Sequence, residues 1–256
     1  MPGMDLTGRV AFVTGGSGDI GGAIAAALAE AGCDIAISYV GNLEGAEATA
    51  KVVAGHGRRG EQVQLDQRDG ASVDAACDAV LAAFGRCDVL VNNAAWNIGI
   101  PFRQLDQLDA DTWDRVQETN LRGPFLLSRR LAPALASDGG GRIVNISSAG
   151  GIFPGSSSIA YSCSKAALIH LTHCLAVALS PDVSVNCVAP GLVEGTRMAL
   201  RLPPNVSAGA RTQAVLGKVG SPQDIADATV LLCRADTITG QTLVVDGGMP
   251  GAMNFG

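Results

Sequence analysis

The sequence predicts an α/β fold in one domain: a doubly wound parallel sheet with helices on both faces. Three observations point there. Short apolar runs alternate with longer helical stretches almost from end to end. Several of those runs are nearly continuous in Val, Ile, Leu and Ala, as in parallel strands covered on both sides. The first run leads straight into a glycine-rich turn that opens a helix.

Taken in order, the strands are expected at 9–14, 33–38, 62–65, 88–92, 142–147, 183–188 and 242–245. Helices are expected at 20–31, 44–54, 72–84, 113–135, 158–179 and 222–234. Ser72 before an alanine-rich run, and Ser221-Pro222 before Asp224, read as helix starts. Punctuation at 139–141, 190–191 and 203–204 interrupts the pattern without dividing it, and no repeat or linker is visible. A single domain spanning 1–256 is the better reading of the 256 residues.

Composition narrows the function classes. Hydrophobic residues make up 47% and charged residues 16%, which excludes wholesale disorder. The net charge of −6 gives no general pull toward nucleic acid or an anionic membrane. The apolar run 23–29 stops at Glu30, far short of the ~20 residues a membrane helix needs. The first residues, MPGMDLTGRV, lack the basic region and apolar core of a secretory signal. Seven cysteines, an odd number with no C-x-x-C, indicate neither a disulfide framework nor a metal site. The expectation is a cytoplasmic, reduced protein with no nucleic-acid or membrane partner.

The first strand, RVAFVT, runs into GGSGDIGG and then a helix. Glycines at this junction let the chain turn sharply and let a pyrophosphate approach the helix N-terminus, where free N–H groups and the dipole favour anions. Gly16, Gly18 and Gly21 satisfy G-x-G-x-x-G, while Thr14, Gly15 and Gly21 satisfy most of T-G-x-x-x-G-x-G. The candidate dinucleotide contacts here are Gly15, Ser17, Gly18, Asp19, Ile20 and Gly21. NAD-binding sheets of this kind often end the second strand with an acid that holds the ribose 2′-OH. Here the place reads Ala36-Ile37-Ser38-Tyr39. With no acid to repel a 2′-phosphate, NADP(H) is favoured, with Ser38 as a contact; no lysine or arginine beside the loop clinches it, so NAD(H) stays open.

Only two tyrosines and three lysines occur, so a chance Y-x-x-x-K pair has an expected number of roughly 0.02. Tyr161 and Lys165 form one, and at i and i+4 of a helix they share a face. A lysine cation beside a phenol favours the phenolate and makes proton exchange near neutral pH easier. Thirteen residues upstream, Ser148 lies just past the fifth strand, where strand ends in open α/β sheets meet ligand. Ser147 is the competing candidate.

These residues carry a resemblance. The chain is similar to the short-chain dehydrogenase/reductase family, in its compact Rossmann-like branch, and within it to 3-oxoacyl carrier protein reductases. The match spans residues 6–248: VTGGSGDIG, Asp66, NNAA at 92–95, Asn120, Ser148, Tyr161, Lys165, APG at 189–191 and the terminal VDGG. The resemblance implies that Tyr161 is the general acid–base and that Lys165 lowers its pKa and holds the nicotinamide ribose. It implies that Ser148 orients the substrate oxygen and that Asn120 supports a water-linked proton relay to Lys165. Asp66 would touch the adenine, and Asn92 and Ala94 would lie along the cofactor. Pro190, Gly191 and Val193 would meet the carboxamide, with Thr196 near it or near the phosphates. Trp96, Phe153 and Met198 fall where the family often lines its substrate pocket. Residues 192–217 resemble its substrate loop. A homo-oligomer, usually a tetramer, is implied as well.

The expected activity is therefore hydride transfer between NAD(P)(H) and a carbonyl or secondary alcohol, with reduction favoured. The rivals are an NAD-dependent dehydrogenase of a sugar, polyol or hydroxysteroid, lyase or isomerase chemistry on this fold, and a non-catalytic cofactor-binding regulator. Three departures from the family pattern stand out. Asp19 replaces the second loop glycine, and its side chain is expected to point away from the pyrophosphate. Ala95 replaces a usual glycine. Gly195 reads as an extra residue before Thr196. Arg197, Arg201 and Arg211 are left between contacting an anionic substrate and being solvated. His170 and His173 read as packed or partner-facing, and Cys163 as small packing.

Overall fold

The computed structural model describes residues 3–202 and 204–248. Seven parallel strands form one sheet in the order β3-β2-β1-β4-β5-β6-β7. They are β1 (Val10–Val13), β2 (Asp34–Tyr39), β3 (Gly60–Gln64), β4 (Val89–Asn92), β5 (Gly141–Ile146), β6 (Val183–Pro190) and β7 (Thr242–Val245). All seven predicted strands are present. β1 and β4 are covered on both faces, which is why their sequences carry no polar alternation.

One face is covered by α1 (Asp19–Glu30), α2 (Leu43–Gly55) and α9 (Pro222–Arg234), whose Ile24, Leu28, Val53 and Ile225 join Ala11, Val13 and Ile37 of the sheet. The other face is covered by α3 (Gly70–Phe84), α5 (Gly123–Leu135) and α6 (Ile159–Ala178), whose Val80, Leu131 and Leu175 meet Phe12, Leu90 and Ile143. The strand order reverses between β1 and β4, and there the carboxyl ends of the strands open a crevice.

Two predicted helix starts differ. The helix expected from Ser72 begins at Gly70: Asp69 is the N-cap, accepting from the Ala71 N–H at 3.0 Å, while the Ser72 hydroxyl accepts from the Asp66 N–H at 3.0 Å. Ser221 caps α9 as expected, in a reciprocal capping box with Asp224.

The predicted single helix 113–135 is instead three segments: α4 (Ala110–Gln117), a π-helical turn Glu118–Arg122, and α5. Pro124 has no N–H to offer the carbonyls four and five residues before it, so the regular ladder opens there. The Thr119 carbonyl is satisfied instead by Nε2 of Gln67. After β6 come α7 (Arg197–Leu200) and α8 (Pro204–Gln213), which fill the stretch that the sequence left unpredicted.

Candidate active site

Thr14 ends β1 fully buried, and its hydroxyl accepts from the N–H groups of Asn93 and Ala94 at 2.9 Å. The ends of β1 and β4 are thereby stitched together beneath the crevice. Gly15 follows with φ +63°, a conformation L side chains rarely adopt. A Cβ on Gly21 would lie 2.3 Å from the Gly15 carbonyl, so the loop packs onto α1 only as glycine. The helix N-terminus is left bare, with no side-chain cap.

A cleft of about 510 Å³ opens above this loop. Of the predicted cofactor contacts, Gly15, Ser17, Gly18, Asp19, Ile20, Gly21, Ser38, Asp66, Ala94 and Thr196 line it, together with Trp96 and Met198. Ser38 is buried at the end of β2, and its hydroxyl accepts from the Gly15 N–H at 2.8 Å. Asp66 is tied to Arg68, whose guanidinium holds the carboxyl below the usual carboxylate range. The residues fit a nicotinamide dinucleotide: a bare helix N-terminus on a glycine loop, and beside it the buried Gln67 Oε1, which has no hydrogen-bond partner.

Asn92 is a correction. It is 2% exposed and donates to Asn145 Oδ1 at 2.8 Å, on the core side of the strand end, so its side chain does not line the cleft. Its neighbour Asn93 lines the cleft instead. Consecutive residues at a strand end face opposite ways, and the motif alone did not say which asparagine faces in. Gln67 was missed altogether. It joins the Ala94 and Thr119 carbonyls, and Gly123 makes room for it, since a Cβ there would lie 2.8 Å from the glutamine side chain.

The catalytic candidates stand at the ends of β5 and α6. Ser158 caps α6, accepting from the Tyr161 N–H at 3.2 Å, which sets Tyr161 in the first helical turn. The two serines differ: Ser147 is buried and donates to the Lys165 carbonyl at 2.7 Å, whereas Ser148 is half-buried and lies beside the Tyr161 hydroxyl. Lys165 is 2% exposed, and its Nζ donates to the Ile146 carbonyl at 2.8 Å.

The electrostatics differ from the sequence expectation. Burial pushes the Tyr161 phenol up to about 12, with Ser148 opposing the shift in part, and burial pushes Lys165 down to about 8. Burial is the dominant influence on the phenol, and the Lys165 ammonium, which donates to the Ile146 carbonyl, stands 5.6 Å from the ring centroid. Tyr161 is thus held as a neutral phenol, a proton donor.

Asn120 is buried within the π-helical turn. Its side chain accepts from the Trp96 N–H at 2.8 Å and donates to the Trp96 carbonyl and to Ser164 Oγ. The amide therefore positions Trp96 rather than reaching Lys165, and Pro124 relieves the Asn120 carbonyl of its usual i+4 donor. Trp96 is also stacked under Arg115, whose guanidinium lies 4.2 Å from the ring centroid.

Pro190 is the last residue of β6, and Gly191 and Val193 follow it; the Val193 carbonyl accepts from the Thr196 hydroxyl at 2.9 Å. Gly195, at φ +77°, makes the extra residue a turn, and Thr196 caps α7. Phe153 and Met198 are 40% and 44% exposed; Met198 lines the cleft, and Phe153 is not among its lining residues. Asp19 lines the cleft, and its carboxylate accepts from the Arg197 N–H at 2.7 Å. Arg211 makes a two-point ion pair with Glu194, so neither arginine is simply solvated.

A family model described as Enoyl-(Acyl carrier protein) reductase matches residues 16–250. The chain is 37% identical over 243 residues to cis-4-hydroxycyclohexanecarboxylate dehydrogenase of Sinomonas cyclohexanicum, covering 94% of this chain and 96% of that one. It is 36% identical over 250 residues to the 3-oxoacyl-(acyl-carrier-protein) reductase FabG of Escherichia coli (strain K12), covering 96% and 99%. A crystal structure of a short chain dehydrogenase from Burkholderia cenocepacia J2315 in complex with NADP aligns with TM-score 0.89 at 35% identity, covering 97% and 100%. The chain belongs to the short-chain dehydrogenase/reductase family. It is an NAD(P)-dependent oxidoreductase acting on the CH–OH/C=O couple of a small molecule. No helix among the described residues is long and apolar enough to cross a membrane.

Proposed function

We propose that this chain reduces a ketone or 3-oxoacyl group to a secondary alcohol, preferring NADP(H). The neutral Tyr161 phenol carries the reading, because reduction needs a proton donor at the carbonyl oxygen. The nicotinamide, when bound, supplies the hydride. Ser148 donates to the substrate oxygen and orients it, and Tyr161 delivers the proton. Lys165, as the ammonium, stabilises the phenolate left behind and holds the ribose. Asn120 fixes Trp96 and leaves its backbone carbonyl to serve a proton relay.

Cofactor residues are proposed as follows. The loop from Gly15 through Gly21 takes the phosphates, while Asp66 and Asn93 border the adenosine. Pro190, Gly191, Val193 and Thr196 face the nicotinamide end. Ser38, standing where NAD-specific sheets place an acid, supports the NADP(H) preference. Trp96, Phe153 and Met198 form an apolar rim suited to an acyl chain or a ring. Residues 192–217 act as the substrate lid of a single catalytic domain.

A homotetramer is supported by apolar side chains exposed on α5, α6 and β7: Phe125, Val177 and Val244. A cytoplasmic setting is supported by seven unpaired cysteines, five of them buried.

Fluorescence titration with NADPH and NADH at fixed salt tests the reading. Clearly tighter NADPH is expected. Tighter NADH would favour the dehydrogenase of a sugar, polyol or hydroxysteroid, and failure to bind either would favour a non-catalytic regulator.

A further inference from the structure

The phosphate loop has one charged residue, and its sign is wrong. Between Gly15 and Gly21 only Asp19 is ionisable, and it opens α1 where a pyrophosphate would settle. A second negative charge about 4 Å from a phosphate costs about fivefold in affinity at the screening of bulk water, and more where the cleft excludes water.

The compensating cation comes from 178 positions away along the chain. Arg197, the first residue of α7, donates its N–H to Asp19 Oδ2 at 2.7 Å, and its Nε lies 3.5 Å from the same oxygen. Its Nη2 lies 3.6 Å from where a Cβ on Gly18 would stand, so the guanidinium spreads over the apex of the loop. A Cβ at position 18 would be in van der Waals contact with this guanidinium. The preceding residue, Thr196, lines the cleft, and the other paired lid cation, Arg211, is committed to Glu194.

We propose that Asp19 and Arg197 form a clasp between phosphate loop and lid, through which the lid supplies the cation that meets the cofactor pyrophosphate. The inference rests on the nucleotide reading of the cleft. Asp19 is a positioning residue: it holds Arg197 over Gly18, and Arg197 in turn cancels the charge that Asp19 brings to the site. Cofactor affinity and lid position are thereby coupled through one ion pair.

A double-mutant cycle on the full chain, read by calorimetric titration with ADP-ribose, tests this. Arg197→Met is expected to weaken ADP-ribose about tenfold in the natural chain, but less than twofold in the Asp19→Asn background, where the arginine is no longer held. Arg197→Lys should recover part of the loss, and adenosine, which lacks the pyrophosphate, should bind all variants equally. Circular dichroism checks that each variant is folded. An equal loss from Arg197→Met in both backgrounds, or none in either, overturns the clasp. A loss of the same size for adenosine 2′-monophosphate would also overturn it, since the cation would then serve the 2′-phosphate. If the natural chain does not bind ADP-ribose at all, the nucleotide reading falls and the clasp with it.

Discussion

The wall that carries Ser148, Tyr161 and Lys165 and the proposed lid, α7 and α8, are built on opposite principles. On the wall, the groups are held by buried contacts with the backbone: Lys165 on the Ile146 carbonyl, Ser147 on the Lys165 carbonyl, Tyr161 under the Ser158 cap. Such contacts are costly to break, because they leave an unpaired polar group in the interior. The lid is held by two partly exposed ion pairs, Arg197 with Asp19 and Arg211 with Glu194. Pairs of that kind contribute little stability and are easily exchanged. In the proposed reading, fixed chemistry sits on the wall held by buried contacts, and the contacts that admit cofactor and substrate sit on the exchangeable side.

Changes on the wall should be the most damaging. Tyr161→Phe removes the proton donor and should lower turnover about a thousandfold while leaving cofactor affinity within about twofold, as compared by steady-state assay and titration. Lys165→Met should lower turnover about a hundredfold and weaken the cofactor as well, since one ammonium serves both. An effect on turnover alone would remove Lys165 from the ribose.

A change at the Gln67 bridge, which joins the Ala94 and Thr119 carbonyls, should have an intermediate effect. Gly123→Ala would force a Cβ to within 2.8 Å of Gln67 and should destabilise the fold by about 1–3 kcal/mol in thermal denaturation. Adding Gln67→Ala should recover much of that loss; no recovery would mean that the bridge is not what Gly123 accommodates. The smallest structural effect belongs to the lid. Glu194→Gln should leave the melting temperature unchanged, because the pair with Arg211 is solvent-exposed, yet raise KM for substrate by loosening α8.

The same contrast explains what could be read from the sequence. The five central strands were legible because each is a short, almost continuously buried run, and the partly exposed edge strands β3 and β7 were legible from their place in the alternating pattern; Tyr161 with Lys165 was legible because one helical turn brings them together. Where two candidates stood within three residues, local pattern did not separate them: Asp69 rather than Ser72 caps α3, and Asn93 rather than Asn92 faces the cleft. The π-helical turn was signalled only by Pro124, a residue that α-helices also tolerate near a start. Contacts between distant elements were beyond reach. Nothing local to Gln67 points to Thr119, and nothing in the glycine loop announces Arg197. The direction of the Tyr161 shift was missed for a related reason: burial, which only the fold determines, outweighs a lysine that is already engaged.

The central claim is that a neutral phenol gives up the proton while a buried ammonium supports it. The pH dependence of ketone reduction, measured as kcat/KM for the cofactor, reports the groups of the free enzyme. Lys165 carries its charge below about 8 and loses it above, while Tyr161 stays protonated until about 12. The rate should therefore be level from mildly acidic to neutral pH and fall as pH rises through about 8, with the fall absent in Lys165→Met. A rate that climbs across the same range would mean that the phenolate is the working form, and would contradict the assignment.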